Sequence, residues 1–198
     1  MENPKSEKRP DRRSLYSKMV IKEAMLELKK NMPFNEITIT GICKEAGINR
    51  GTFYLHYGNT MQVLDELIDE VLELSLDDPR FVSLDYDYSD PFVDNKCRVP
   101  ICEIIRNSEK YKCIFLDEGL TSYIASKIMK RHVNNFVDTM TKKTGLSENE
   151  LHNFYYFRLM GCLAVVRKTI DYDNNAWREV KEFIDNIQRT GVKPYMKK

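Results

Sequence analysis

Twenty residues, Thr38–Tyr57, constrain this chain more than any other segment because they follow the spacing of two short helices joined by a glycine turn. Apolar residues recur at helical spacing in the first half, at Ile39, Ile42, Cys43 and Ala46. Thr38 suits the N-cap of that helix, and Gly47 suits the left-handed position that commonly ends a helix. The pattern predicts a helix-turn-helix, an arrangement that can read the major groove of DNA.

The second predicted helix is short, and its polar positions face outward. Asn49 suits its N-cap, while Ile48 and Phe53 are expected to face inward. The outward residues suit contacts to base edges and phosphates, and they are Arg50, Gly51, Thr52 and Tyr54. Two helices joined by a glycine also occur in small α-helical proteins that bind no DNA. This second helix is too short to be worth packing for its own sake, which favours the DNA-binding interpretation.

Residues from about Ser17 to Leu67 resemble the DNA-binding domain of the TetR family of transcriptional regulators. The matching positions are Ala24 through Leu28, Pro33-Phe34, Ile37-Thr38-Ile39, Ala46-Gly47-Ile48, Gly51-Thr52-Phe53-Tyr54, His56-Tyr57 and Val63-Leu64. The resemblance implies operator contacts through Thr40, Arg50, Gly51, Thr52, Tyr54 and His56. The neighbouring Asn49 and Tyr57 complete our candidate DNA-binding set. The family usually carries a lysine at the start of its fourth helix, where this chain has Thr60.

The net charge of +1 is distributed unevenly along the chain. Residues 1–60 contain eleven basic and seven acidic residues, so they carry +4 and the remainder carries −3. We predict a basic N-terminal arm over 1–14, a helix-turn-helix domain over 15–58, and a C-terminal effector-binding and dimerisation domain over 59–198. The arm could lie along phosphates or enter the minor groove, or it could be an ordinary solvated tail.

Apolar periodicity predicts helices for almost all of the chain, so we predict an all-α fold. Besides the motif, helices are expected at about 12–30, 60–76, 99–107, 108–117, 121–143, 147–171 and 174–189. Residues 77–99 interrupt the pattern with acidic residues and prolines, which indicates an irregular connection. An alternative interpretation is an aromatic lid over a ligand pocket.

The predicted helix at Leu151–Ile170 is apolar on more than one side, so it needs a second packing partner. In TetR-like proteins the last two helices pair with those of a second subunit, which implies a homodimer here. The candidate interface residues are Phe157, Gly161, Ala164 and Trp177. The C-terminal residues also loosely resemble the TetR subgroup that includes regulators of dihydroxyacetone kinase operons.

The resemblance further implies a pocket for an unknown small-molecule effector in the C-terminal domain. Aromatic residues and a methionine on the middle helices are the candidates for its lining: Tyr111, Phe115, Tyr155, Tyr156 and Met160. These residues could equally fill the core, because a core stripe and a pocket wall share one periodicity.

Other classes of function have little support in the sequence. His132 and His152 have no nucleophile or ligand set beside them, and the eight glycines form no phosphate-binding loop. Five cysteines without metal-ligand spacing indicate free thiols, with redox sensing as the alternative. We therefore predict no enzyme, no metal and no cofactor. No apolar run reaches the length of a membrane span and the first residues are unlike a signal peptide, so we expect a cytoplasmic protein.

Taken with the resemblance, these features predict a ligand-responsive regulator, most often a repressor, that binds a palindromic DNA operator as a homodimer. The effector would favour a conformation whose two recognition helices no longer match successive major grooves. The alternative is a TetR-like co-regulator that acts mainly through a protein partner.

Overall fold

The computed structural model describes residues 12–77 and 101–197. Their α-helices are α1 at Arg12–Asn31, α2 at Ile39–Glu45, α3 at Arg50–Tyr54, α4 at Thr60–Asp77, α5 at Ile101–Asn107, α6 at Lys112–Phe115, α7 at Thr121–Lys143, α8 at Glu148–Lys168 and α9 at Asn174–Val192. The predicted all-α fold is confirmed. Most of the predicted basic arm and of the predicted irregular connection lies outside the described residues.

Two compact units make up the chain, the first ending at Asp69 and the second beginning at Glu70. This division falls within α4, whereas the sequence places the boundary at residues 58–59.

Local side-chain caps set the starts of the two short helices in the first unit. Thr38 Oγ1 accepts a 3.0 Å hydrogen bond from the N–H of Gly41, and Asn49 Oδ1 accepts one of 2.8 Å from the N–H of Thr52. Between the helices, Gly47 has a φ of +64°, the left-handed conformation that glycine adopts without a Cβ penalty. These contacts confirm both predicted caps and the predicted turn.

The core of the first unit is apolar, and α1, α2 and α3 contact one another pairwise. Phe53 is fully buried, so it anchors the inner side of α3. Apolar residues from the other helices are buried with it: Ile21, Ala24, Met25 and Leu26 of α1, Ile42 and Cys43 of α2, and Val63, Leu64, Leu67 and Ile68 of α4. Burying one such aliphatic side chain contributes about 1.5–3 kcal/mol.

In the second unit, α7 and α8 form the main helix pair. One core cluster comprises Val133, Phe136, Val137, Met140, Leu151 and Val192, which come from α7, α8 and α9. The start of α8 has a capping box: Ser147 Oγ accepts from the N–H of Glu150, and the Glu150 carboxylate accepts from the N–H of Ser147. After α9, the backbone of Lys197 donates to the oxygen of Lys143, which ties the chain end to the end of α7.

Candidate nucleic-acid interface

The short helix α3 has a buried side and an exposed side. Phe53 and Tyr57 are one helical turn apart and both are buried, with ring centroids 6.0 Å from each other. Arg50, Gly51 and Tyr54 are exposed, and Thr52 is half-buried. The outward positions predicted from the sequence therefore lie on the open side of the helix, where a base edge or a phosphate could reach them.

Arg50 and Tyr54 stand next to each other on that open side, at positions i and i+4. The Arg50 Nη2 group donates to the Tyr54 hydroxyl at 3.4 Å, and its guanidinium lies 6.0 Å from the centre of the Tyr54 ring. This hydrogen bond raises the pKa of the Arg50 guanidinium, which stays charged. The phenol orients a cation whose fork of donors matches the acceptors of guanine or of a phosphate.

Three other candidate contacts flank this pair. Thr40 is exposed on α2, while His56 is half-buried after the end of α3. Asn49 is exposed, but its Oδ1 atom already accepts bonds from the N–H and the hydroxyl of Thr52. Asn49 therefore has its amide N–H groups left for a nucleic acid, while its oxygen serves the helix.

Tyr57, one of the candidate DNA-binding residues, does not lie on the surface. Its side chain is only 4% exposed, and its hydroxyl donates a 3.0 Å hydrogen bond to Oε2 of Glu66 on α4. The aromatic ring is needed in the core against Phe53, so it does not face outward with Tyr54. Tyr57 instead connects the end of α3 to α4.

Glu66 is a residue that the sequence does not single out, and it gathers three hydrogen bonds in the first unit. Besides Tyr57, it accepts bonds from Lys18 at 2.9 Å and Lys22 at 3.1 Å, both on α1. Burial raises the pKa of Glu66, but the bonds from Lys18, Lys22 and Tyr57 outweigh it and hold that pKa below its ordinary value. The carboxylate thus joins α1, α4 and the segment that follows α3.

The start of α4 has a variant of the capping box. Asn59 Oδ1 accepts from the N–H of Gln62 at 3.0 Å, as expected for an N-cap. Gln62 Oε1 in turn accepts from the N–H of Gly58, one residue before the N-cap. The turn that follows α3 is therefore defined locally, and Thr60 is half-buried at the first position of α4.

Three of the four predicted interface residues lie on an open side of α8. Phe157 is 72% exposed, and Gly161 and Ala164 follow it at i+4 and i+7, also exposed. A Cβ atom added to Gly161 would meet no other atom within 4 Å. On α9, Phe183 and Ile187 are also exposed. Both helices thus leave large apolar side chains uncovered in one protomer.

Trp177, the fourth predicted interface residue, is not on that surface. It is 7% exposed, its indole N–H donates to Glu103, and the Arg106 guanidinium lies over its ring at 4.6 Å. The prediction for Trp177 was wrong because the indole packs against α5 of its own protomer.

The predicted pocket residues have different environments. Tyr111 and Phe115 are buried, and the Tyr111 hydroxyl donates to Glu70 at 3.0 Å. Tyr155 packs on Phe136, with ring centroids 5.0 Å apart, at the edge of the α7–α8–α9 core cluster. Tyr156 is exposed on α8, and Met160 is half-buried. The exposed position of Tyr156 suits a contact with another molecule more than the lining of an enclosed cavity.

The part of the chain that the structure describes shows no metal site, no activated cysteine and no membrane-spanning helix. No group of three or more His, Cys, Asp or Glu side chains there could hold a metal ion. Cys43, Cys102 and Cys162 are thiols, and burial raises the pKa of each, which reduces the reactive thiolate fraction. None of the helices in the described ranges has the length and apolar character needed to span a membrane.

Comparison with known proteins identifies the fold. No family model and no curated protein matches the chain. Among solved structures, the chain is similar to the dihydroxyacetone kinase operon activator DhaS, with 15% identity and a TM-score of 0.53 over 92% of this chain and 99% of that one. A TetR-family transcriptional regulator from Haemophilus influenzae gives a TM-score of 0.48 at 16% identity, over 94% of this chain and all of that one. The similarity to DhaS confirms the predicted fold, and identity this low establishes the fold alone.

Proposed function

We propose that this protein is a transcriptional regulator that binds a specific duplex DNA operator through α2 and α3. The observation that carries the proposal is the arrangement of α3. Its inner side is fixed by Phe53, its start is capped by Asn49, and its outer side presents the Arg50–Tyr54 pair to solvent. A short, rigid helix with an oriented guanidinium is suited to direct reading of base edges.

The regulator is proposed to act as a homodimer. Exposed apolar residues on α8 and α9 support this, since apolar patches on a protomer commonly mark an interaction surface. The partner we propose is a second copy of this chain, because a two-fold dimer would place two copies of α3 on a palindromic operator.

Response to a small-molecule effector stays a prediction. The similarity to DhaS, whose name describes an operon activator, supports regulation of transcription without indicating repression or activation here. An effector that binds only the folded protein would stabilise it by about 2.7 kcal/mol at a hundredfold excess over its dissociation constant. A thermal-shift screen of metabolites and antimicrobials, repeated with Phe115→Ala, tests this part of the proposal.

Selection of genomic fragments by the purified protein tests the proposed function as a whole. Fragments retained at a fixed, moderate salt concentration should share a palindromic sequence, and footprinting should show protection in two half-sites about 10 base pairs apart or a multiple of that distance. Retention of fragments without any shared sequence would contradict operator binding. It would favour the alternative, a TetR-like co-regulator that works through a protein partner.

A further inference from the structure

An exposed apolar side chain, Leu55, follows the last residue of α3. The N–H of Leu55 bonds to the oxygen of Gly51, and the N–H of Tyr57 bonds to that of Phe53, so the helical path continues through this stretch. With 100° between successive residues, Leu55 lies opposite the midpoint of the buried pair Phe53 and Tyr57. Leu55 is 81% exposed, the highest fraction among the exposed large apolar residues that the structure describes.

The side chains on either side of Leu55 are polar or have polar ends. Arg50 and Tyr54, which are bonded to each other, lie on one side, while Thr52 and His56 lie on the other. All four offer donors or acceptors to base edges and phosphates. Leu55 offers neither, so only an apolar group can complement it.

We infer that Leu55 determines specificity by contacting the C5-methyl group of a thymine in each operator half-site, an inference that rests on the proposed function. That methyl is the apolar group that base pairs present on the floor of the major groove. Gly51, one turn before Leu55 on the same ridge, has no side chain and therefore permits the helix to approach closely. The leucine would then be transferred from water to an apolar contact when the complex forms.

Deoxyuridine tests this inference because it pairs like thymine but lacks the methyl group. Each thymine of the selected operator is replaced in turn, symmetrically in both half-sites, and the affinity is measured by fluorescence anisotropy at one salt concentration. At one symmetric position the wild type should bind about fourfold more weakly per half-site, the equivalent of about 0.8 kcal/mol for one methyl removed from water. Leu55→Ala should bind the thymine and deoxyuridine operators with more nearly equal affinity.

Leu15→Ala is the matched control, because Leu15 is also an exposed leucine of the first unit but lies on α1. It should keep the full methyl dependence of the wild type. Two results would overturn the inference while DNA binding stands. In the first, the wild type binds the operator with the same affinity whichever thymine is replaced by deoxyuridine. In the second, Leu55→Ala loses as much affinity as the wild type does when the methyl group is removed. Failure to select any operator would overturn the proposed function itself, and the inference with it.

Discussion

Trp177 and Glu103 are joined by a 3.0 Å hydrogen bond from the indole Nε1–H to the carboxylate Oε1, which ties α9 to α5 within one protomer. Arg106, one turn after Glu103, stacks on the same indole and donates to the backbone oxygens of Thr169 and Tyr172 beyond the end of α8. These contacts hold the start of α9 in place, so the orientation of α9 depends on α5.

Trp177→Phe should therefore destabilise the protomer without removing its outer apolar surface. The variant loses the indole donor to Glu103, and a hydrogen bond to a charged group contributes about 1.5–3 kcal/mol. We expect the free energy of unfolding in urea, measured at one fixed protein concentration, to fall by about that amount. Unchanged unfolding combined with loss of the dimer would instead place Trp177 in the subunit interface.

Gly161→Leu should weaken the proposed dimer while the protomer still folds. An added side chain at Gly161 meets open space in the protomer, so a clash arises only if another chain packs there. Overpacking of a close helix contact costs about 1–3 kcal/mol, which sedimentation velocity would detect as a shift toward monomer at low concentration.

Ser126→Leu is the control for this substitution, since Ser126 is an exposed small residue on α7 of the same unit. It should sediment like the wild type. If Gly161→Leu also gave a dimer of wild-type affinity, the interface would lie on a different surface.

The locally encoded parts of the fold were predicted best. Thr38 and Asn49 cap the helices that the sequence assigns to them, because a cap depends on residues only three positions away. Tyr57 and Trp177 were assigned to the surface although both are buried. Their partners Glu66 and Glu103 lie on other helices, and Glu103 is 74 positions from Trp177. A side chain's direction there depends on tertiary packing, which a single sequence does not specify.

Within the candidate DNA-binding site, helical spacing identified the Arg50–Tyr54 side of α3 correctly as exposed. The same spacing could also have identified Leu55, since it lies two positions from the inward-facing Phe53. The hydrogen bonds from Lys18 and Lys22 to Glu66 had no comparable signal, because they connect residues 48 and 44 positions apart on α1 and α4.

Glu66→Gln should destabilise the first unit at neutral pH and lose that effect in acid. The folded-state pKa of Glu66 lies below its ordinary value, so its contribution to stability is present above the unfolded-state pKa and is lost as pH falls through the folded-state pKa. Urea unfolding of both proteins, from about pH 7 down to about pH 3, should show their free energies of unfolding converging toward the acid end.

Glu45→Gln is a suitable control for the charge change, since Glu45 is an exposed glutamate on α2 of the same unit. At neutral pH, the free energy of unfolding should differ more between wild type and Glu66→Gln than between wild type and the control variant. A difference that stayed constant across the pH range would show that the Glu66 carboxylate charge does not stabilise this unit.

Operator discrimination by Arg50 is the central claim, and fluorescence anisotropy with Arg50→Ala tests it most directly. Wild type, Arg50→Ala and Lys44→Ala are titrated against the selected operator and a scrambled duplex at one salt concentration. Lys44 is an exposed lysine of α2, so its removal controls for the loss of one positive charge. A bidentate arginine–guanine pair contributes about 1–3 kcal/mol of discrimination. We predict that Arg50→Ala lowers the binding free energy for the operator by that amount per half-site. On the scrambled duplex, Arg50→Ala should weaken binding no more than Lys44→Ala does. Equal losses of Arg50→Ala on both duplexes would contradict the account.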